Sequence, residues 1–262
     1  MYEHHQRSMN ILVDYFKDDI GVTAIVLGGS VAKGCARPDS DIDAIIVVSE
    51  DKYCRLADSN KLSECIFGHC TYEHGYFDIK YCTEKYLLSV MENGSEPCRN
   101  AFKSSKCLFS RNSEIEEWIK KIPVFQRHEK NEKLLSFYSA LTLNSGYFWG
   151  ASSNNIYLKI KTAADIVLFG FRLLLQENEV LFPCHKALLD TISNLENKPG
   201  DIINKANTFL TSLNDEAKDN YVNSILNFIE YRPPEDFTVL LTRYIDDTEL
   251  WWYKERPVIA EW

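Results

Sequence analysis

The sequence lacks the patterns that mark several common classes of protein. No apolar run is long enough to cross a membrane, so we expect no membrane-spanning segment. The first residues, Met1-Tyr2-Glu3-His4-His5-Gln6, have no signal-peptide character, and we expect a cytoplasmic protein. The eight cysteines include no Cys-x-x-Cys pair. This scatter favours free thiols in a reducing compartment over a zinc site or a disulfide framework.

The sequence also has fewer basic residues than acidic ones. The 29 lysines and arginines are outnumbered by 38 aspartates and glutamates, which gives a net charge of −9. A protein that binds a long nucleic acid usually needs a basic groove, so a nucleic-acid substrate is not expected. An acidic surface suits a small cationic molecule instead. The 262 residues, 45% of them hydrophobic, are enough for one large or two modest globular domains.

A glycine-rich turn follows the first apolar run. Ala24-Ile25-Val26-Leu27 predicts a buried strand, and Gly28-Gly29-Ser30 predicts a tight turn at its end. Glycines allow the backbone to approach a ligand closely, and successive N–H groups in such a turn form an anion-binding nest. The Ser30 hydroxyl can donate a further hydrogen bond to a phosphate. Residues 31–34 predict one short helical turn that ends at Gly34.

Two aspartates come next, with ten residues between Ser30 and the first of them. Asp41-Ile42-Asp43 leads into the apolar run Ala44-Ile45-Ile46-Val47-Val48, and we expect a strand over residues 41–48. Alternate residues of a strand point to the same face, so the two carboxylates would project together. Their mutual repulsion is relieved by a divalent cation, and hard carboxylate oxygens suit Mg²⁺.

A third aspartate belongs to a later strand. Tyr76-Phe77-Asp78-Ile79-Lys80-Tyr81 alternates with the period of two that a half-buried strand shows. Beside the first two acids, Asp78 would complete a cluster of three carboxylates. Such a cluster can hold two metal ions that clamp the attacking and leaving oxygens of a phosphoryl transfer.

Together these residues resemble the DNA polymerase β-type nucleotidyltransferase superfamily. The resemblance rests on Gly29-Ser30, the ten-residue gap, Asp41-x-Asp43 and Asp78, and it covers roughly residues 24–82. It implies that Asp41, Asp43 and Asp78 are the catalytic and metal-binding residues. It also implies that the turn at Gly28, Gly29 and Ser30, with Lys33, binds the phosphates of ATP or another nucleoside triphosphate. Two Mg²⁺ ions are the implied cofactors.

The rest of the chain predicts helices. We expect helices over residues 3–18, over residues 83–92 with Thr83 as N-cap, and from a Ser113 N-cap onward, with a further strand within residues 101–109. From residue 129 to about 230 the pattern is helical. The predicted fold is α+β: a mixed-sheet polymerase β-like domain over residues 1–124, followed by an all-α helical bundle over residues 125–262 that binds substrate.

This layout also resembles the small-molecule branch of the superfamily, the aminoglycoside adenylyltransferases. Within Leu181-Phe182-Pro183-Cys184-His185-Lys186, Lys186 is a second candidate for nucleotide binding, and an exposed lysine at a helix start is the alternative. Some enzymes of this branch take a general base from the helical domain. The chain has no Asp or Glu between Leu134 and Ala164. Either Asp78 itself acts as the base, or the substrate is something other than an aminoglycoside.

The sequence thus predicts a metal-dependent nucleotidyltransferase. It would transfer a nucleoside monophosphate, AMP from ATP in the first instance, to a hydroxyl of a small molecule such as an aminoglycoside-like antibiotic. Two alternatives stay open: nucleotidylation of a protein or RNA, as in a toxin–antitoxin pair, and a nucleotide-binding module without turnover. The acceptor, the nucleotide and the oligomeric state are not specified by the sequence.

Overall fold

The computed structural model describes residues 1–262 and divides into two compact units. The first unit comprises Met1–Gly94 and Cys98–Val124. The second comprises Ser95–Pro97 and Phe125–Trp262. The inclusion of Ser95–Pro97 in the second unit differs from the single boundary near residue 124 that the sequence suggested. No helix of the chain is both long enough and apolar enough to span a membrane.

The first unit is built on a five-stranded mixed sheet. Its strands are β1 (Val22–Leu27), β2 (Ile42–Val48), β3 (Ser63–Phe67), β4 (Tyr76–Cys82) and β5 (Lys106–Ser110). The order across the sheet is β3-β4-β2-β1-β5. All neighbours pair antiparallel except β2 and β4, which are parallel. The sequence predicted β1, β2, β4 and the region of β5, whereas β3 was not predicted as a strand.

Helices cover both faces of this sheet. They are α1 (Glu3–Phe16), α2 (Gly29–Lys33), α3 (Glu50–Asp58), α4 (Glu84–Asn93), α5 (Glu96–Ala101) and α6 (Ile115–Lys121). The Thr83 side chain accepts a hydrogen bond from Tyr86 N–H, which confirms it as the cap of α4. The predicted cap at Ser113 is wrong. The N-cap of α6 is Glu114, whose N–H is bound by the Asn112 side chain, so the turn ends one residue later than expected.

The strands alternate between two apolar layers. One face of the sheet packs with α1, and the buried residues of β2 on that face are Ile42, Ala44, Ile46 and Val48. The opposite face packs with α4 and α6 through Val47 of β2 and Cys82 of β4. Asp43 and Ile45 share this second face because alternate residues of a strand point the same way. The carboxylate therefore lies at the end of the sheet where the covering apolar layer stops.

The second unit is all-helical. Its α-helices are α7 (Lys130–Leu143), α8 (Trp149–Ala151), α9 (Ile156–Glu177), α10 (Leu188–Ser193), α11 (Ile202–Ser212), α12 (Asp215–Leu226) and α13 (Phe237–Thr248). A π-helical segment, Asn144–Phe148, joins α7 to α8. Helix α9 is the centre of the unit, because its last three turns are buried on nearly every side. Helix α13 lies beyond the helical region that the sequence predicted.

A buried polar cluster ties the second unit together. Glu96 is fully buried and accepts hydrogen bonds from Lys133 at 3.0 Å, Gln176 at 2.6 Å, Arg172 at 3.3 Å and the Phe182 N–H at 2.8 Å. Lys133 and Arg172 are themselves buried, so the Glu96 carboxylate is the counter-charge for two cations. This explains why Ser95–Pro97 belongs to the second unit although the residues on both sides belong to the first.

Candidate active site

The glycine turn lies directly against the carboxylate of Asp43. The Gly28 N–H donates to the Asp43 carbonyl oxygen at 2.9 Å, which fixes the turn to the start of β2. Gly29 has a positive φ of 62°, a conformation that glycine adopts without steric cost. A Cβ atom at Gly29 would lie only 1.7 Å from Asp43 Oδ2. This position therefore requires glycine both for its backbone conformation and for the space beside the carboxylate.

The short helix α2 carries the other predicted phosphate ligands of the first unit. It begins at Gly29, contains Ser30, and ends at Lys33. Gly34 stops it in the left-handed conformation with φ of 76°, as the sequence predicted. Lys33 is exposed, and its charge acts on Asp43. Lys186 lies in the second unit, in the 3₁₀ turn His185–Ala187, and its role stays a prediction.

Three aspartates come together beside this turn. Asp41 immediately precedes β2, and Asp43 lies within it. Asp78 of β4 is the register partner of Asp43 in the parallel pairing, so both side chains project from one face of the sheet. One carboxylate oxygen from each of the three lies within 4.8 Å of the others. They form the one group of three or more potential metal ligands in the chain.

The cluster carries more negative charge than its surroundings neutralise. Burial raises the pKa of Asp43, and the neighbouring carboxylates of Asp41 and Asp78 raise it further. Lys80 and Lys33 act in the opposite direction. The Lys80 ammonium lies 3.8 Å from an Asp78 carboxylate oxygen, but the lysine side chain is 64% exposed, so water screens much of this attraction. A bound divalent cation would remove the penalty for ionising all three groups.

Two tyrosines that the sequence did not identify support Asp41. Interaction with the Asp41 carboxylate raises the pKa of the Tyr76 hydroxyl. The Tyr72 hydroxyl donates to the Ser40 carbonyl oxygen at 2.6 Å, immediately before Asp41. One signal for Tyr76 was available, because it lies two residues before Asp78 on the same face of the strand. Nothing local in the sequence indicates that Tyr72 reaches Ser40.

Comparison with known proteins gives one family match. Residues 9–126 match the model of the family described as the nucleotidyltransferase domain. No curated protein matches the chain at a significant level.

Among solved structures, the chain is similar to a nucleotidyltransferase-like protein from Exiguobacterium sibiricum. The identity is 10%, the TM-score is 0.45, and the match covers 92% of this chain and 76% of that one. It is also similar to the spectinomycin adenyltransferase AAD(9) from Enterococcus faecialis, solved with ATP and spectinomycin. There the identity is 13%, the TM-score is 0.32, and the coverage is 93% of this chain and 96% of that one.

The family match spans the whole sheet, the glycine turn and all three aspartates. Residues 9–126 therefore form a nucleotidyltransferase domain, and this match supports a nucleotidyltransferase activity for the enzyme.

Proposed function

We propose that this enzyme transfers AMP from ATP to a hydroxyl group of a small molecule, with Mg²⁺ bound by Asp41, Asp43 and Asp78. One observation carries the proposal. Three carboxylates lie within 4.8 Å of one another beside a glycine turn that leaves no space for a side chain between itself and Asp43. This arrangement supports metal-assisted transfer of a phosphorus-containing group, because it brings a phosphate-binding turn and a metal-binding cluster to the same place.

The three carboxylates suit magnesium. Their oxygens are hard ligands, and Mg²⁺ is typically bound by a few carboxylates together with the phosphates of a substrate. The raised pKa of Asp43 supports the assignment, since it reflects a cluster whose full ionisation is unfavourable until a cation balances it. When bound, Mg²⁺ would supply charge neutralisation for the phosphates of the nucleotide.

The glycine turn would position the triphosphate. Three parts of the turn can bind phosphate oxygens. They are the backbone at Gly28 and Gly29, the Ser30 hydroxyl and the exposed Lys33 ammonium. Because the turn is bonded to the Asp43 backbone, the phosphates it binds lie next to the carboxylate cluster. Holding the nucleotide in this way lowers the entropic part of the barrier.

Asp78 would act as the general base. In the reaction the acceptor oxygen forms a bond to the α-phosphorus, and the bond from that phosphorus to the bridging oxygen of the β-phosphate breaks. Pyrophosphate leaves, and Asp78 accepts the proton of the acceptor hydroxyl. Its side chain is 26% exposed, so an acceptor can reach it from solvent. The absence of Asp and Glu between Leu134 and Ala164 supports Asp78 over a base in that part of the helical unit.

The test measures pyrophosphate release from ATP and Mg²⁺ with a panel of aminoglycosides, lincosamides and other hydroxylated amines and sugars. We expect release that depends on one class of acceptor and is lost in Asp43→Asn. Asp58→Asn is the matched control, because Asp58 is an exposed carboxylate at the end of α3. Retained turnover in Asp43→Asn, or equal loss in both variants, would contradict the mechanism.

A further inference from the structure

A cavity opens on the same face of the sheet as the carboxylate cluster. Its volume is about 300 Å³, and every residue of its wall belongs to the first unit. The wall combines residues of β2 and β4 with residues of α3, α4 and α5 and of the loops that follow α3 and α5. The proposal uses six of these residues: Ile45, Lys80, Cys82, Tyr86, Cys98 and Phe102. Apolar atoms predominate in it, and few polar groups converge on it, which is the composition of a small-molecule site.

Lys80 connects this cavity to the catalytic cluster. It is the next residue after Asp78 on the same face of β4, about 7 Å further along the strand. Its ammonium lies 3.8 Å from the Asp78 carboxylate, while the side chain forms part of the cavity wall. A molecule that fills the cavity therefore lies next to Lys80, and a hydroxyl group on it can extend toward Asp78.

The order of the strands assigns the cavity to the acceptor instead of the nucleotide. The sheet runs β4-β2-β1, and the glycine turn follows β1. The phosphate-binding turn thus lies on one side of Asp43, and Asp78 of β4 lies on the other. The cavity is lined by Lys80 and Cys82 of β4, the strand of the proposed base, and includes no residue of the turn, which adjoins the wall only at the backbone of Ala101.

The size and chemistry of the wall restrict the group that fits. An apolar cavity of about 150 Å³ can bind benzene, so this cavity has room for one substituted ring and not for a molecule of several linked rings. Phe102 and Ile45 offer apolar contact, and the Tyr86 hydroxyl, 3.0 Å from Cys98 Sγ, is a polar group at the wall. Lys80 is the one charged residue of the wall, so the wall offers no carboxylate to a cationic group.

From these observations we infer that the cavity binds a neutral, apolar ring of the acceptor, so that the acceptor is a hydroxylated compound with an aryl or alkyl ring rather than a polycation. The inference rests on the proposed function, because it takes Asp78 as the residue that faces the acceptor. The net charge of −9 governs the long-range attraction of charged molecules, whereas the cavity governs which group is bound next to Asp78.

The experiment measures binding, so it does not depend on turnover. Phenyl β-D-glucoside and methyl β-D-glucoside carry the same sugar hydroxyls and differ in the ring. Saturation-transfer difference NMR should show the phenyl compound bound to the full chain, with its aromatic protons receiving the largest transfer, and should show the methyl compound bound at least about tenfold more weakly. Equal binding of the two glucosides would overturn the inference.

Matched variants test whether the phenyl glucoside binds in the cavity. Cys98→Leu fills the cavity, and Cys54→Leu makes the same change at an exposed cysteine of α3 that is not part of the wall. We expect phenyl glucoside binding to fall about tenfold in the first variant and to be retained in the second. Ala101→Leu, at an exposed wall position, fills the cavity without altering the contact of Cys98 with Tyr86 and keeps the test valid if Cys98→Leu does not fold. Unchanged binding in both filled variants would show that the probe binds elsewhere.

A nucleotide analogue, added as a second ligand, distinguishes a failure of the ring-binding proposal from a failure of the proposed function. Saturating α,β-methylene-ATP with Mg²⁺ should leave the phenyl glucoside bound, because the nucleotide and the acceptor occupy opposite sides of Asp43. Displacement of the probe by the nucleotide would assign the cavity to the nucleotide and overturn the inference. If the probe binds in the cavity but no acceptor supports pyrophosphate release, the proposed function fails while the ring-binding site stands. Kanamycin, as a polycation, should not compete with the probe.

Discussion

Replacement of Gly29 by alanine tests the contact between the glycine turn and Asp43. The new Cβ atom would lie 1.7 Å from Oδ2, 2.4 Å from Cγ and 2.8 Å from Cβ of Asp43. Rotation of the carboxylate cannot relieve all three contacts, because the Asp43 Cβ is fixed to the backbone of β2. The turn and the strand must therefore separate by about 1 Å, and a displacement of that size at a catalytic group can lower the rate about 10²-fold.

Gly34→Ala is the matched control for this variant. Gly34 also has a positive φ, 76°, but nothing lies within 4 Å of the position that its Cβ would occupy. Both variants place alanine in the left-handed region, and this backbone conformation should lower the free energy of unfolding of each by about 1–2 kcal/mol. The contact with Asp43 adds to this loss in Gly29→Ala alone. Only Gly29→Ala disturbs the carboxylate. The comparison thus separates the cost of the backbone conformation from the cost of moving Asp43.

The assays are urea denaturation for stability and pyrophosphate release for activity, with the affinity for α,β-methylene-ATP and Mg²⁺ as a readout that needs no acceptor. We expect Gly29→Ala to lose about 10²-fold in kcat/KM and Gly34→Ala to remain within about threefold of the wild type. Equal activity of the two variants, at equal loss of stability, would refute the argument that the turn positions Asp43.

Three further predictions concern the carboxylates and the helical unit. Because the pKa of Asp43 is raised from 3.8, ionisation of this group destabilises the metal-free fold as pH increases above that value. Asp43→Asn should therefore be more stable than the wild type at pH 7 without Mg²⁺, an advantage that shrinks at pH 4, and urea denaturation that shows the reverse order would contradict this. Tyr76→Phe removes the hydroxyl that interacts with the Asp41 carboxylate and should weaken Mg²⁺ binding in the presence of the nucleotide analogue about tenfold, as measured by calorimetry. Glu96→Ala removes the carboxylate paired with buried Arg172 and one of the two carboxylates paired with buried Lys133, and it should cost about 3–5 kcal/mol of unfolding free energy, whereas the exposed Glu230→Ala should cost less than about 0.5 kcal/mol.

The strands that position the glycine turn and the aspartates were predictable because their signals are local. An apolar run that ends in Gly28-Gly29, and a second run that follows Asp41-Ile42-Asp43, each identify a buried strand from a few adjacent residues. Edge strand β3 gave no such signal. Four of its five residues are exposed, so its sequence shows no apolar face, and its existence depends on pairing with β4. Helix α13 follows Pro233 and Pro234, and because proline commonly ends a helical region, the sequence pattern does not indicate a helix beyond them.

The arrangement of the site depended on long-range pairing that the sequence does not encode locally. The period of two along each strand predicts which residues share a face, but the parallel register of β2 and β4 decides that Asp43 and Asp78 are partners. A shift of one residue would have placed Ile79 beside Asp43 and turned Asp78 toward the opposite layer. The interaction of Tyr76 with Asp41 depends on the same pairing, which is why the sequence analysis named the acids but not this tyrosine.

The register also links the carboxylate cluster to the cavity whose wall includes Lys80. Asp43 pairs with Asp78, Ile45 with Lys80, and Val47 with Cys82, so one face of two adjacent strands changes from acidic to apolar over five residues. The acidic end lies against the glycine turn, and the apolar end packs under α4 and α6. Lys80 stands at the transition, in contact with Asp78 and in the wall of the cavity. An acceptor bound along this face would therefore have its ring and its reactive hydroxyl positioned by the same pair of strands, which is why substitutions in the cavity should change KM for the acceptor more than the affinity for the nucleotide.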